Sequence, residues 1–169
     1  MDQTKRPALL ALCELLAAER VPYAIIGGVA IQVHQREART TLDIDIAVID
    51  RSTIPHAALR TAGFELTGTF EHSENWAAAD GTPVQFTDDP ALANAVREAN
   101  ELTFDGVPLR VISVAHLLHE KLRSGSDPAR RRSKRLQDLA DAQSLLESDP
   151  SLVEELSGDE RAILDQLPR

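Results

Sequence analysis

The sequence predicts an α/β (α+β) protein in which short strands alternate with helices before the chain closes on a helical segment. Three observations carry that prediction. Between Ile25 and Val48 an apolar run meets a glycine pair, then a short helical stretch, then a strand with two aspartates. Between Leu102 and Ile112 two β-favouring runs flank Asp105-Gly106, a hairpin signal. From Ser113 onward the apolar spacing is helical. The expected organisation is a core over 1–112 and a helical segment over 113–169 packed on it as one globular unit.

Pro7 to Arg20 has apolar residues at helical spacing, and Val21-Pro22 ends it, because the residue before a proline is pushed out of the helical region. Tyr23 to Ile26 is the first strand, Val29 to Gln35 a helix and Leu42 to Ile49 the second strand. Ser52 to Ala62 reads as a helix capped by Ser52 or Thr53, with Pro55 in its first turn and Gly63 at its end. Phe64 to Thr69 is a strand, and Trp76 anchors the packing of the ambiguous stretch from His72 to Ala79. Asp80-Gly81 turns into a strand at Pro83 to Thr87, and Pro90 to Asn100 is helical. Ser113 caps a helix from Val114 to Arg123, and Ser124 to Pro128 is a loop. Arg130 to Glu147 is a long helix packing through Leu136, Leu139, Ala140, Leu145 and Leu146. Two short acidic helices, Ser151 to Leu156 and Gly158 to Leu167, follow.

A chain of 169 residues with 43% hydrophobic and 27% charged residues has the composition of a globular domain with a real core. It contains no apolar run long enough to span a bilayer and no signal-peptide pattern from Met1 to Pro7, so a cytoplasmic protein with no membrane partner is expected. The lone Cys13 lies among leucines and reads as a buried structural thiol. A net charge of −9 argues against a broad nucleic-acid surface. The segment from Glu120 to Arg135 nevertheless has seven basic residues against two acidic ones, leaving −14 on the remainder.

The chemistry concentrates around Gly27-Gly28 and Asp43-Ile44-Asp45. A backbone without Cβ atoms can turn sharply and lie against a ligand, and the N–H groups opening the next helix suit phosphate. In Leu42 to Ile46 the faces alternate, so Asp43 and Asp45 share one face while Leu42, Ile44 and Ile46 are expected to pack on the other. Paired carboxylates with phosphate nearby suit Mg²⁺. The constellation is that of a nucleotidyl-transfer site. The plain alternative is an edge strand blunted by charge. His34, and the His116 and His119 pair, have no partners spaced to complete a metal site.

Gly27-Gly28, followed by Arg39, Thr41, Asp43 and Asp45 at two-residue steps, resembles the DNA polymerase β-type nucleotidyltransferase superfamily, most of all its branch of AbiEii-type toxins from toxin–antitoxin systems. The resemblance spans about Pro22 to Leu146 and implies the nucleotidyltransferase fold, a mixed β-sheet flanked by helices. It implies one or two Mg²⁺ ions held by Asp43 and Asp45, and an NTP contacted by Gly27, Gly28, Arg39 and Thr41. Lys121 resembles a phosphate contact of that branch, and Asp138 and Asp141 resemble its Lys-Asp-Leu-x-Asp helix, with Gln137 for the usual lysine. The implied acceptors are tRNA or protein, with an antitoxin partner; resistance enzymes acting on aminoglycosides or lincosamides share the signature. The superfamily's third carboxylate falls at Val84-Gln85-Phe86, where Gln85 is neutral and cannot serve as a base. Asp88 and Asp89 would replace it only if that strand ended early. A non-catalytic module of the same fold, binding a nucleotide or a protein, is the rival reading.

Overall fold

A computed structural model describes residues 5–35 and 40–166 of the chain, which divides into two compact units, Met1–Ser113 and Val114–Arg169. The first unit is built on a seven-stranded mixed sheet. Its strands are β1 (Tyr23–Ile26), β2 (Ile44–Val48), β3 (Glu65–Thr69), β4 (Ser73–Ala77), β5 (Pro83–Thr87), β6 (Asn100–Phe104) and β7 (Val107–Val111). They lie in the order β3-β4-β5-β2-β1-β7-β6. β2 runs antiparallel to β1 and parallel to β5, while β1 is parallel to β7. The ends of the sheet are hairpins: β3 with β4, and β6 with β7.

Four helices accompany the sheet: α1 (Arg6–Ala18), α2 (Gly27–His34), α3 (His56–Thr61) and α4 (Ala93–Arg97). In α1, Leu9, Leu12, Cys13 and Leu16 recur on one stripe and are buried. The Cys13 thiol hydrogen-bonds with Tyr23 on β1, and burial pushes its pKa up to about 11. Ile25, Ile44, Ile46 and Phe86 fill the centre of the sheet and are inaccessible to solvent. Burying each such side chain favours folding by roughly 1.5–3 kcal/mol.

Trp76 does anchor the stretch that was ambiguous in sequence: it lies on β4, 1% exposed, with its indole Nε1 donating to Glu74 at 3.2 Å. Glu74 is itself buried and also bonds His56 Nε2 at 2.9 Å, which ties α3 to the sheet. The β6–β7 turn has both Asp105 and Gly106 at positive φ, +50° and +77°, the conformation that matches the strand twist of a two-residue hairpin.

Several boundaries differ from the sequence expectation. β2 begins at Ile44, and Leu42 is 78% exposed instead of packed, because it precedes the strand. The expected Ser52–Ala62 helix is a 3-10 turn, Arg51–Thr53, followed by the shorter α3; the cap is Asp50, whose carboxylate accepts from Ser52 N–H at 2.8 Å. Pro55 lacks the N–H that would join the two. Pro90 to Asn100 likewise divides into a 3-10 turn, Pro90–Leu92, and α4.

The second unit contains α5 (Val114–Ser126), α6 (Arg132–Ser148) and α7 (Gly158–Asp165), with a 3-10 helix, Pro150–Glu155, between the last two. α5 continues through Ser124 to Ser126, where a loop was expected; Ser124 and Ser126 hydrogen-bond back to Glu120 and the Leu122 carbonyl, holding the last turn. Gly125 lets α6 approach, since a Cβ there would lie 2.6 Å from Leu139 Cδ2. On α6 the buried residues are Asp138, Asp141, Ala142 and Leu145, whereas Leu136 is 55% exposed. The packing face of α6 is therefore turned from the expected one toward its carboxylates. α7 opens with a capping box between Ser157 and Glu160, and Glu160 also bonds His119 Nδ1 of α5 at 2.6 Å.

Candidate active site

The glycine pair opens α2 directly instead of preceding it, with Ile26 as the N-cap. Gly27 has φ +63°, a conformation that L side chains rarely adopt, and a Cβ on it would overlap the Asp45 carboxylate, lying 2.9 Å from its Cγ. Gly28 has the same relationship to Thr41, whose Oγ1 and Cβ lie 2.5 and 2.6 Å from the Cβ position. The bare backbone of both residues is thus used to admit side chains from the approach to β2 and from β2 itself.

Thr41 is buried, and its hydroxyl reaches both Asp43 Oδ1 and the Asp43 carbonyl at 3.4 Å, long contacts that orient the approach to the strand. Asp43 and Asp45 are half-buried, whereas Ile44 between them is fully buried. Gly27, Gly28, Thr41, Asp43 and Asp45 are therefore assembled in one place, at the start of α2. Arg39 lies outside the described residues. His34, at the other end of α2, bonds through Nε2 to the Ile112 carbonyl at 2.7 Å, a packing contact.

Gln85 lies beside the aspartates. In the parallel pairing of β2 and β5, Asp45 is the register partner of Gln85, so the two side chains project from the same face of the sheet. β5 continues to Thr87, so it does not end early enough for Asp88 to replace Gln85. Asp88 is three residues further on, about 10 Å along a strand. Its carboxylate is engaged by Arg51 at 3.3 Å and His72 Nδ1 at 3.5 Å, and Asp89 caps the turn at Ala91. The carboxylates and the amide beside them are all hard oxygen donors, the set that fits Mg²⁺. Among the described residues no three of His, Cys, Asp and Glu gather as a metal cluster.

The same face continues outward from Gln85. Asn75 on β4 is the register partner of Gln85, and Gly68 on β3 is that of Asn75. The Phe70 ring lies over Gly68, 3.1 Å from where a Cβ would be. The turn carrying Phe70 is fastened by Arg51, which donates to the Phe70 carbonyl at 2.8 Å and to the Glu71 carbonyl. Nothing in sequence singled out Asn75 or Phe70. The usable signal was the alternation from Ser73 to Ala77, which puts Asn75 on the face opposite Trp76.

In the helical unit, Lys121 is 6% exposed and its ammonium lies 2.8 Å from both Asp138 Oδ1 and Asp141 Oδ2. Arg130 Nε donates to the other Asp138 oxygen at 2.8 Å. The sequence-named Lys121 and Asp138 thus form one buried ionic cluster with Asp141. The exposed basic residues Arg131, Arg132 and Lys134 stand at the start of α6.

The sequence matches no protein-family model and no curated protein, but the fold is shared with solved structures. The antibiotic-resistance factor ANT(2″)-Ia aligns over 96% of this chain and 94% of its own at 18% identity, TM-score 0.67. An antigenic nucleotidyltransferase-like protein from Paracoccidioides brasiliensis aligns over 98% and 93% at 20% identity, TM-score 0.59. The lincosamide antibiotic adenylyltransferase LnuA, solved with lincomycin, aligns over 83% and 95% at 16% identity, TM-score 0.58. The chain therefore has the nucleotidyltransferase fold, an α+β architecture around a mixed seven-stranded sheet. No helix among the described residues is long and apolar enough to cross a membrane.

Proposed function

We propose that the protein is a Mg²⁺-dependent nucleotidyltransferase that moves a nucleoside monophosphate from an NTP to a hydroxyl group, releasing pyrophosphate. The observation that carries this reading is the gathering of Thr41, Asp43 and Asp45 against the Gly27-Gly28 backbone at the start of α2. Asp45 is fitted against Gly27 and Thr41 against Gly28, and Thr41 in turn reaches Asp43, so both glycines and both carboxylates belong to one assembly. The names of the fold's neighbours, two of them antibiotic-modifying proteins, support it.

Asp43 and Asp45 would hold the metal, which when bound supplies Lewis-acid stabilisation of the charge that builds on the departing pyrophosphate. The backbone N–H groups of Gly27 and Gly28 open α2 and suit the triphosphate, and Thr41 steadies Asp43. Arg39 is proposed as a further nucleotide contact. Lys121 is proposed as a phosphate contact held in place by Asp138. The acceptor hydroxyl gives up its proton to solvent water as its oxygen bonds to the α-phosphorus and the bond to pyrophosphate breaks. Gln85 cannot take that proton, since an amide is no base at neutral pH. The resemblance to AbiEii-type toxins favours tRNA or protein as acceptor, opposed by an antitoxin; the neighbouring resistance proteins favour a small molecule equally well.

Gln85 in register with Asp45 favours a second reading, a fold retained for binding nucleotide or a partner with little or no turnover. Incubation with each α-labelled NTP, Mg²⁺ or Mn²⁺, and in turn tRNA, protein and an aminoglycoside–lincosamide panel separates the two. Label on an acceptor that disappears with Asp43→Ala establishes the transferase. NTP binding without label on any acceptor establishes the binding module.

A further inference from the structure

Gln85, Asn75 and Phe70 form a strip that extends the Asp45 side of the sheet across β5, β4 and the β3–β4 turn. Three features set it apart from an ordinary sheet surface. Asn75 Oδ1 is shut off from solvent and accepts no hydrogen bond, a costly state that native structures rarely leave without a purpose. Phe70 is 57% exposed, yet its ring is seated over the notch made by Gly68, beside Asn75, and its turn is clamped by Arg51. Gln85 is exposed with its amide beside the Asp45 carboxylate.

From these we infer that the strip is the acceptor subsite, and that it takes a small, ring-bearing, hydroxylated molecule, neutral or cationic. The inference rests on the nucleotidyl-transfer reading and adds to it the class of acceptor. An aromatic face offers stacking to a flat or saturated ring, and amides exchange hydrogen bonds with hydroxyl or amino groups. Charge selects against a polyanion. β3, β4 and β5 contain no lysine or arginine, and residues 1–113 have nine basic side chains against sixteen acidic ones. Arg51, at the turn that bears Phe70, is engaged by the Phe70 and Glu71 carbonyls and by Asp88, which leaves a phosphodiester chain little counter-charge on this strip. The Phe70 ring and the Asn75 Cβ both border the position above Gly68, so an occupant that shifts the ring reaches the Asn75 side chain, whose amide oxygen can accept its O–H or N–H.

Saturation-transfer NMR on the full chain, with Mg²⁺ and a non-hydrolysable ATP analogue, tests this with tobramycin, lincomycin and sucrose as ring probes. At least one probe is expected to receive saturation in the wild type. Phe70→Ala is expected to abolish that signal, and Asn75→Ala to weaken binding about tenfold while leaving the melting temperature unchanged or higher, because a buried unpaired amide is removed. A role in packing alone would lower the melting temperature instead. No signal from any probe, or a signal indifferent to both variants, overturns the subsite. Pyrophosphate release measured in parallel keeps the two levels apart. Probe binding through Phe70 with no transfer to any probe, tRNA or protein sinks the transfer reading and leaves the subsite as a binding site; transfer to tRNA with a KM that neither variant alters sinks the subsite and leaves the transferase.

Discussion

The carboxylate of Asp45 occupies the space that a side chain on Gly27 would need. Two sequence features eighteen positions apart are therefore one structural unit, and Gly27 cannot gain a side chain without displacing Asp45. Gly27→Ala is expected to lose about 1–2 kcal/mol from the positive φ, with a further loss as Asp45 is pushed aside. Urea denaturation checks the first effect and NTP turnover the second. Wild-type activity in a destabilised Gly27→Ala would show that the position of Asp45 is unimportant.

Gln85→Glu places a third carboxylate beside Asp45 without changing side-chain length. Without metal, the variant is expected to melt lower than the wild type, because like charges on adjacent strands repel. With Mn²⁺ the order is expected to reverse, and Mn²⁺ affinity measured by electron paramagnetic resonance is expected to rise about tenfold. An increase in transfer rate alongside would identify Gln85 as the brake on the natural chain.

Asp138→Ala removes a carboxylate that both Lys121 and Arg130 use. Breaking a buried ion pair from one side costs about 3–5 kcal/mol, because the surviving charge stays buried with fewer partners. Arg130→Ala is expected to cost under about 1 kcal/mol, since its side chain is 42% exposed and water replaces it. Equal losses in urea melts of the two variants would contradict the hierarchy the burial implies.

The Cys13 thiol, with its pKa pushed up to about 11 by burial against an opposing hydrogen bond with Tyr23, is almost wholly protonated at pH 8. Iodoacetamide is expected to leave it unmodified in the folded protein and to label it rapidly in urea, as read by intact mass. Rapid labelling of the native chain would contradict its burial in α1.

Glu160 gives stability a dependence on acid. Burial works to raise its pKa, but hydrogen bonds from His119 and Ser157 outweigh it and the value is lowered. A lowered carboxylate pKa contributes stability above its unfolded value, near 4.5, that disappears as pH falls through the folded value. Glu160→Gln is expected to flatten this part of the stability profile below about pH 5, as measured by melting temperature against pH.

Local chemistry was the legible part of the sequence. The two-residue turn at Asp105-Gly106 and the strands Tyr23–Ile26 and Pro83–Thr87 follow from turn residues and β-favouring runs, and the structure has them at those positions. The resemblance put Gln85 where a third carboxylate is expected; that it is the register partner of Asp45 came only from the pairing of β2 with β5. Leu42 and Leu136 were misplaced because hydrophobicity alone does not reveal where a strand starts or which stripe of a helix carries an ionic cluster. The strip through Asn75 and Phe70 was invisible for another reason. It exists only through strand register, which no local pattern encodes.

The parallel pairing of β2 with β5 also sets an order of events. Asp45 and Gln85 are forty residues apart, with β3 and β4 between them in the chain. Closing so long a loop is entropically slower than zipping either hairpin. On a ribosome the nascent chain would expose its aspartates well before their neighbour arrives, so the candidate active site cannot be complete until forty further residues have been made.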